Sequence, residues 1–227
     1  MRYNTILFDL DDTLLDFQAN EAQAMKRLFD LHHMPLTEEF LEVYHNVNEK
    51  LWKSHERGEI PLSSVLGARF SDSMRELGVE IDGRDWDETY RGFLADGHEL
   101  IPGAYEICDY LKDKCRLVLI TNGAGNTQRR RLEASGLIKF FPWIFISQDL
   151  GAQKPSKEFF DAVKKGIPDF TASSSLVIGD SLTSDIKGAN DAGIDCCWFN
   201  PTGKTSTGIN FTYTISKLSE LKDIIEQ

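Results

Sequence analysis

The chain has 227 residues, with 25 Lys and Arg against 36 Asp and Glu for a formal net charge of −11, and a pI near 4.9. A composition of 41% hydrophobic and 27% charged residues is that of a globular protein and excludes disordered and fibrous classes; a chain this long buries roughly 70% of its unfolded surface and holds a core without disulfides or a structural metal. The acidic balance argues against a nucleic-acid polymer as partner, because its phosphates demand clustered Lys and Arg, and no apolar run approaches the roughly 20 residues of a bilayer span.

The first predicted element is the strand Thr5 to Phe8, cut off at once by Asp9, Asp11 and Asp12, which leaves no signal-peptide core. From Phe17 to Leu100 the pattern is helical. Ala22, Met25, Leu28 and Phe29 share one face of a helix from Glu21 to Leu31, and Phe40, Val43, Val47 and Leu51 do so from Glu38 to Trp52. Segments around Val65 to Leu77 and Trp86 to Phe93 follow, punctuated by Gly58, Pro61, Gly78 and Gly83. Pro102-Gly103 starts the helix Ala104 to Leu111. Short apolar runs then recur at Leu117 to Ile120, Ile144 to Ile146, Leu176 to Ile178 and Cys196 to Phe199, with a last strand at Phe211 to Ile215 and a helix from Leu218.

Continuous apolar strands alternating with helices predict an α/β fold, a doubly wound parallel sheet. The domain reading is a core of residues 1–16 and 98–227 with a helical insertion at 17–97, placed above the carboxyl ends of the strands, where ligands bind in this architecture. Cys108, Cys115, Cys196 and Cys197 lack Cys-x-x-Cys spacing and read as free thiols of a cytoplasmic protein. No feature calls for an obligate protein partner.

Asp9 and Asp11 stand at i and i+2 on an extended segment and point the same way. Their repulsion calls for a cation or a shared proton, unless the segment is a surface turn whose Asp and Thr13 cap a helix. Thr121-Asn122-Gly123 follows the second strand with a hydroxyl, an amide and glycine-loop N–H groups ahead of a helix beginning near Asn126, a natural anion site. Lys154 follows the third strand, and Gly179-Asp180 with Asp185 follows the fourth. Four strand ends meet at one edge of a parallel sheet, and the set they bring suits a phosphoryl group bound between Mg²⁺ and an ammonium. Arg129-Arg130-Arg131 reads as a solvated helix surface, and the five His show no zinc spacing.

Asp9-Leu10-Asp11-Asp12-Thr13, Thr121, Lys154, and Gly179-Asp180 with Asp185 resemble, in order, the four motifs of the haloacid dehalogenase superfamily of phosphohydrolases. The insertion looks like that family's α-helical cap, and Leu51-Trp52, Gly58-Glu59-Ile60 and Arg69-Phe70 resemble the pyrimidine 5′-nucleotidase subgroup. The resemblance implies a Mg²⁺-dependent phosphatase acting on a small phosphorylated metabolite, a nucleoside 5′-monophosphate or else a sugar or sugar-acid phosphate. Asp9 is then the nucleophile, Asp11 the acid and base, and Thr121, Asn122 and Lys154 the phosphoryl ligands. Asp9, Asp11 through its carbonyl, Asp180 and Asp185 surround the metal, Thr13 orients the loop, and Trp52 and Arg69 are candidate substrate contacts of the cap. Many family members carry Gly where this chain has Asp12, a carboxylate that either caps the loop or adds charge near the metal. A phospho-acceptor receiver module is the competing reading, but it needs its Asp at a mid-chain strand end, where this chain has Ile146-Ser147-Gln148.

Overall fold

Thr5–Phe8 has no charged side chain and is buried throughout, which suits a strand covered on both faces. In the computed structural model, which describes residues 2–206 and 208–226, it is β1. Chain order continues with α1 (Phe17–Leu31), α2 (Glu38–Glu56), α3 (Leu62–Glu76), α4 (Gly83–Leu94), α5 (Ala104–Leu111), β2 (Arg116–Thr121), α6 (Gly125–Ala134), β3 (Trp143–Ile146) and α7 (Ser147–Leu150). Then come α8 (Lys157–Gly166), β4 (Ser175–Gly179), α9 (Lys187–Asp191), β5 (Asp195–Phe199), β6 (Tyr213–Ile215) and α10 (Leu221–Ile225).

The strands form one parallel sheet in the order β3-β2-β1-β4-β5-β6, the doubly wound arrangement that the apolar runs predict. Alternation along each strand divides the interior into two layers. Ile6, Phe8, Leu117, Leu119, Leu176 and Ile178 pack with α5 and α10, while Leu7, Val118, Ile120 and Val177 pack with α8 and α9. The order reverses at β1, which lies between β2 and β4. The carboxyl ends of these three strands therefore flank the switch point where α/β sheets bind ligands.

The chain divides into two compact units, Met1–Phe17 with His98–Gln227, and Gln18–Gly97. Within the second, Thr37 caps α2 by accepting from the Phe40 N–H (3.1 Å), and Asp82 caps α4 by accepting from Arg84 and Asp85. Its core is aromatic: Phe29, Phe40, Tyr44, Phe70, Trp86 and Tyr90 are buried, with ring contacts such as Phe29 to Phe40 at 4.6 Å. Met25, Leu28, Phe29, Phe40 and Val47 are buried as expected, and the two helix faces differ from expectation at single positions. Ala22 is exposed and Ala24 buried, and Tyr44 enters the core while Val43 and Leu51 are half-buried.

Arg69, a candidate substrate contact whose other reading is a place in the cap core, is only 3% exposed. Its Nε donates to Asp87 Oδ1 (2.7 Å) and its Nη2 forms an ion pair with the same oxygen (2.6 Å), its guanidinium lies 4.7 Å from the Tyr90 ring centroid, and Arg91 Nε donates to Asp87 Oδ2 at 2.6 Å. The side chain is thus spent on the core of this unit, a correction that follows from its buried anionic partner. Asp87→Ala leaves the Arg69 charge buried and unpaired, and urea denaturation should show a loss of about 3–5 kcal/mol.

Candidate active site

The Asp9, Thr121 and Asp180 motifs sit at or just past the ends of β1, β2 and β4, whereas Lys154 comes eight residues after β3, beyond α7. The Asp9 N–H donates to the Ile178 carbonyl (2.9 Å), which extends the β1–β4 pairing by one residue and fixes the side chain at the sheet edge. Beyond it the backbone turns sharply. Asp12 has φ +57, the left-handed region that Gly enters freely and Asp tolerates. Its Oδ1 accepts from the Phe17 N–H (3.0 Å) at the start of α1. The carboxylate therefore caps a helix, and its charge also reaches Asp180, whose carboxyl it helps to push up.

Lys154 is 1% exposed. Its Nζ donates to Asp9 Oδ1 (2.6 Å), Asp185 Oδ1 (2.6 Å) and the Ile120 carbonyl (3.0 Å), so each of its three N–H groups has a partner. Contact with a phosphoryl oxygen then requires one acceptor to yield. Asp185, 1% exposed, also accepts from the Ser181 N–H at Oδ2 (3.1 Å). Gly179 is required beside it, because a Cβ there would lie 2.2 Å from Asp185 Oδ2. Trp198 Nε1 donates to the Asp180 carbonyl (2.8 Å) and holds the turn after β4.

One carboxylate oxygen from each of Asp9, Asp180 and Asp185 lies within 4.8 Å of the others. Three acids face one ammonium. Burial, with repulsion from Asp185 and Asp11, raises the Asp9 carboxyl from 3.8 to about 7 despite Lys154, and burial raises Asp180 well above its ordinary value. A divalent cation relieves this crowding, and an all-oxygen donor set suits Mg²⁺. The residues therefore fit the metal that the motifs imply. The Asp11 carboxylate is absent from this trio, so a metal role for Asp11 falls to its backbone carbonyl.

The pH dependence follows from the Asp9 shift. In metal-free protein the folded state keeps the Asp9 proton up to about 7, whereas the unfolded chain releases it near 3.8. Between those values the native state binds more protons, so this contribution is complete below the lower value and lost as pH rises through the upper one. Denaturation in a chelator should show wild type losing more stability than Asp9→Asn from about pH 5 to about pH 8, with Mg²⁺ restoring wild type at the upper end.

Several expected roles differ in the structure. Asn122 was expected on a phosphoryl group; instead its Oδ1 accepts from the Lys154 N–H (2.9 Å) and its Nδ2 donates to the Lys154 carbonyl (3.0 Å), a staple that sets the lysine loop. In the glycine loop, the Gly123 N–H donates to Ser147 Oγ (3.0 Å) and the Gly125 N–H to Gln148 Oε1 (2.8 Å), so α7 has already taken two donors expected for an anion. Thr13 is buried, and its Oγ1 makes no hydrogen bond among the described residues. Trp52 is half-buried, edge-on to His55.

Arg131, expected in solvent, has no exposure. Its Nη1 donates to Asp11 Oδ1 and to Gln128 Oε1 (3.1 Å), and Gln128 Nε2 donates to Asp11 Oδ2 and Thr121 Oγ1, each at 2.8 Å. An i, i+3 pair just past a glycine loop was the available signal, but three consecutive arginines conceal which one faces inward. Arg129, two residues earlier, pairs with Asp149 at the surface (2.6 Å).

The model of the haloacid dehalogenase-like hydrolase family matches residues 3–193. The HAD-hydrolase YfnB of Bacillus subtilis is 47% identical over 99% of this chain and 96% of its own length. Its magnesium-bound crystal structure superposes with a TM-score of 0.95 at 46% identity, covering 100% of both chains. The pyrimidine 5′-nucleotidase PynA of Streptococcus pneumoniae is 35% identical over 100% of this chain and 97% of its own. The pyrimidine 5′-nucleotidase YjjG of Escherichia coli is 32% identical over 99% of each.

Proposed function

The chain belongs to the haloacid dehalogenase-like hydrolases, and from that premise we propose that it is a Mg²⁺-dependent phosphomonoesterase acting on a nucleoside 5′-monophosphate. The observation that carries the chemistry is Lys154, buried between Asp9 and Asp185 in a cluster of three carboxylates. In this reading Asp9 is the nucleophile, Lys154 the cation and the three carboxylates the metal-binding set, gathered at the switch point of one sheet. The substrate class rests on the two related pyrimidine 5′-nucleotidases.

An Asp9 oxygen attacks phosphorus as the ester P–O bond breaks. The Asp11 carboxyl gives its proton to the departing oxygen, leaving an alcohol and a phosphoryl group on Asp9. The Asp11 carboxylate then takes one proton from the water that attacks this phosphoryl group, which frees Asp9 and inorganic phosphate. Lys154 offsets the charge of the ionised Asp9 and Asp185 before the attack and the charge of the phosphoryl group as it transfers, and the Thr121 hydroxyl orients a phosphoryl oxygen. Asp9, Asp180 and the Asp11 carbonyl would hold Mg²⁺, with Asp185 beside them; when bound, it supplies charge neutralisation at the phosphoryl group. Asp11 itself favours ester hydrolysis over dehalogenation, since a departing halide needs no proton.

Phosphate release from a panel of nucleoside monophosphates and sugar phosphates, with Mg²⁺ and with chelator, tests the proposal. Mg²⁺-dependent release from pyrimidine 5′-monophosphates is expected. Release from sugar phosphates alone would overturn the substrate class, and no release from any ester would overturn the chemistry.

A further inference from the structure

Asp11 must present a carboxyl oxygen to the ester oxygen at the moment the P–O bond breaks, and its surroundings show what aims it. Gln128 and Arg131 stand three residues apart on α6, hence on one face. Gln128 Nε2 donates to Asp11 Oδ2 (2.8 Å) while Arg131 Nη1 donates to Asp11 Oδ1, so the two oxygens are held by different residues and the carboxylate plane is fixed. The pair is also internally tied, Arg131 Nη1 to Gln128 Oε1 at 3.1 Å, and Gln128 Nε2 reaches Thr121 Oγ1 at 2.8 Å. The Asp11 side chain nonetheless keeps 29% exposure. Each carboxylate oxygen has a second lone pair, so the clamp leaves room for a leaving group.

Arg131 is costly as packing alone. It has no exposure, lies 5.6 Å from the Phe17 ring centroid, and its Nε and Nη2 find no hydrogen-bond partner among the described residues. A dry guanidinium with idle donors costs free energy that an apolar side chain of similar volume would not. Its ion pair within the described residues is with Asp11.

We infer that Gln128 and Arg131 are positioning residues for Asp11: they fix the carboxyl that protonates the leaving alkoxide, and through Gln128 they tie that carboxyl to the Thr121 hydroxyl. The inference rests on the phosphomonoesterase reading, in which Asp11 delivers the proton to the ester oxygen while Asp9 takes the phosphoryl group. Loss of the clamp therefore harms esters in proportion to their need for that proton. An alkoxide requires it; 2,4-dinitrophenolate departs without it.

The test compares kcat/KM, which reports the steps through leaving-group departure, for a nucleoside 5′-monophosphate and for 2,4-dinitrophenyl phosphate with saturating Mg²⁺. Asp11→Asn sets the scale, with a loss of roughly 10²-fold or more on the alkyl ester and a far smaller one on the aryl ester. Gln128→Met and Arg131→Lys should each lose about tenfold or more on the alkyl ester and less than about threefold on the aryl ester. Added to Asp11→Asn they should cost little further, because the residues act as one unit. Arg131→Lys keeps a charge and Gln128→Met removes none, so both keep the question open to test should Arg131→Met fail to fold. Equal losses on the two esters, or losses that add to that of Asp11→Asn, would overturn the inference while leaving the phosphatase reading intact. Wild type inactive on both esters would overturn that reading and the inference with it.

Discussion

Asp9→Asn is expected to lower Mg²⁺-dependent phosphate release by at least about 10⁴-fold, the scale on which removing a nucleophile acts, while the protein remains folded. The amide is nearly the same size and its oxygen can still accept from Lys154 Nζ, which also keeps Asp185 and the Ile120 carbonyl. What disappears is one negative charge from a trio crowded within 4.8 Å. Because burial and that crowding hold the Asp9 carboxyl near 7 in metal-free protein, the variant should unfold at equal or higher denaturant than wild type in chelator at neutral pH. With Mg²⁺ the order reverses, since the cation gains less from a neutral ligand. Phosphate release and denaturation midpoints, each with and without Mg²⁺, separate these effects. Near-wild-type turnover would show that phosphorus is attacked by another group.

The sheet could be read from the sequence because a strand buried on both faces must be apolar at every position, and Ile6-Leu7-Phe8 and Leu176-Val177-Ile178 are. Asp9 and Asp180 were equally readable, since charged residues directly after such strands fall at the sheet edge; Lys154, eight residues beyond β3 with α7 between, was readable only from its place in the order of the motifs. Side-chain partners were not. Arg69 and Arg131 are both buried ion-pair members, and each answers to an acid distant in sequence, Asp87 or Asp11, which local spacing does not reveal. Asn122 illustrates the same limit. Its amide matches an anion ligand in kind, yet the backbone of Lys154, which satisfies both its ends, comes close only once β2 and β3 have paired. Tyr44 entered the core in place of Val43 because it meets aromatic rings of the neighbouring helices, Phe70 of α3 at 5.1 Å and Tyr90 of α4 at 6.5 Å; hydrophobic periodicity alone fixes such a face only to within one position.

Lys154→Met should cost both catalysis and stability, and the two losses can be told apart. The substitution keeps most of the length of the side chain but leaves Asp9 and Asp185, 6% and 1% exposed, without their cation. Breaking a buried pair on one side costs about 3–5 kcal/mol, so the metal-free variant should unfold at markedly lower denaturant. The remaining carboxylates must then shed charge, and lower pH or added Mg²⁺ should each recover part of the loss, by protonation or by a new counter-charge. Adding Asp185→Asn removes one of the two stranded anions and should restore much of the stability. Activity should not return, because the ammonium beside Asp9 offsets charge as the phosphoryl group transfers; a deficit of about 10³-fold is expected in both the single and the double variant. Should the double variant regain stability and turnover together, Lys154 would be a folding element only.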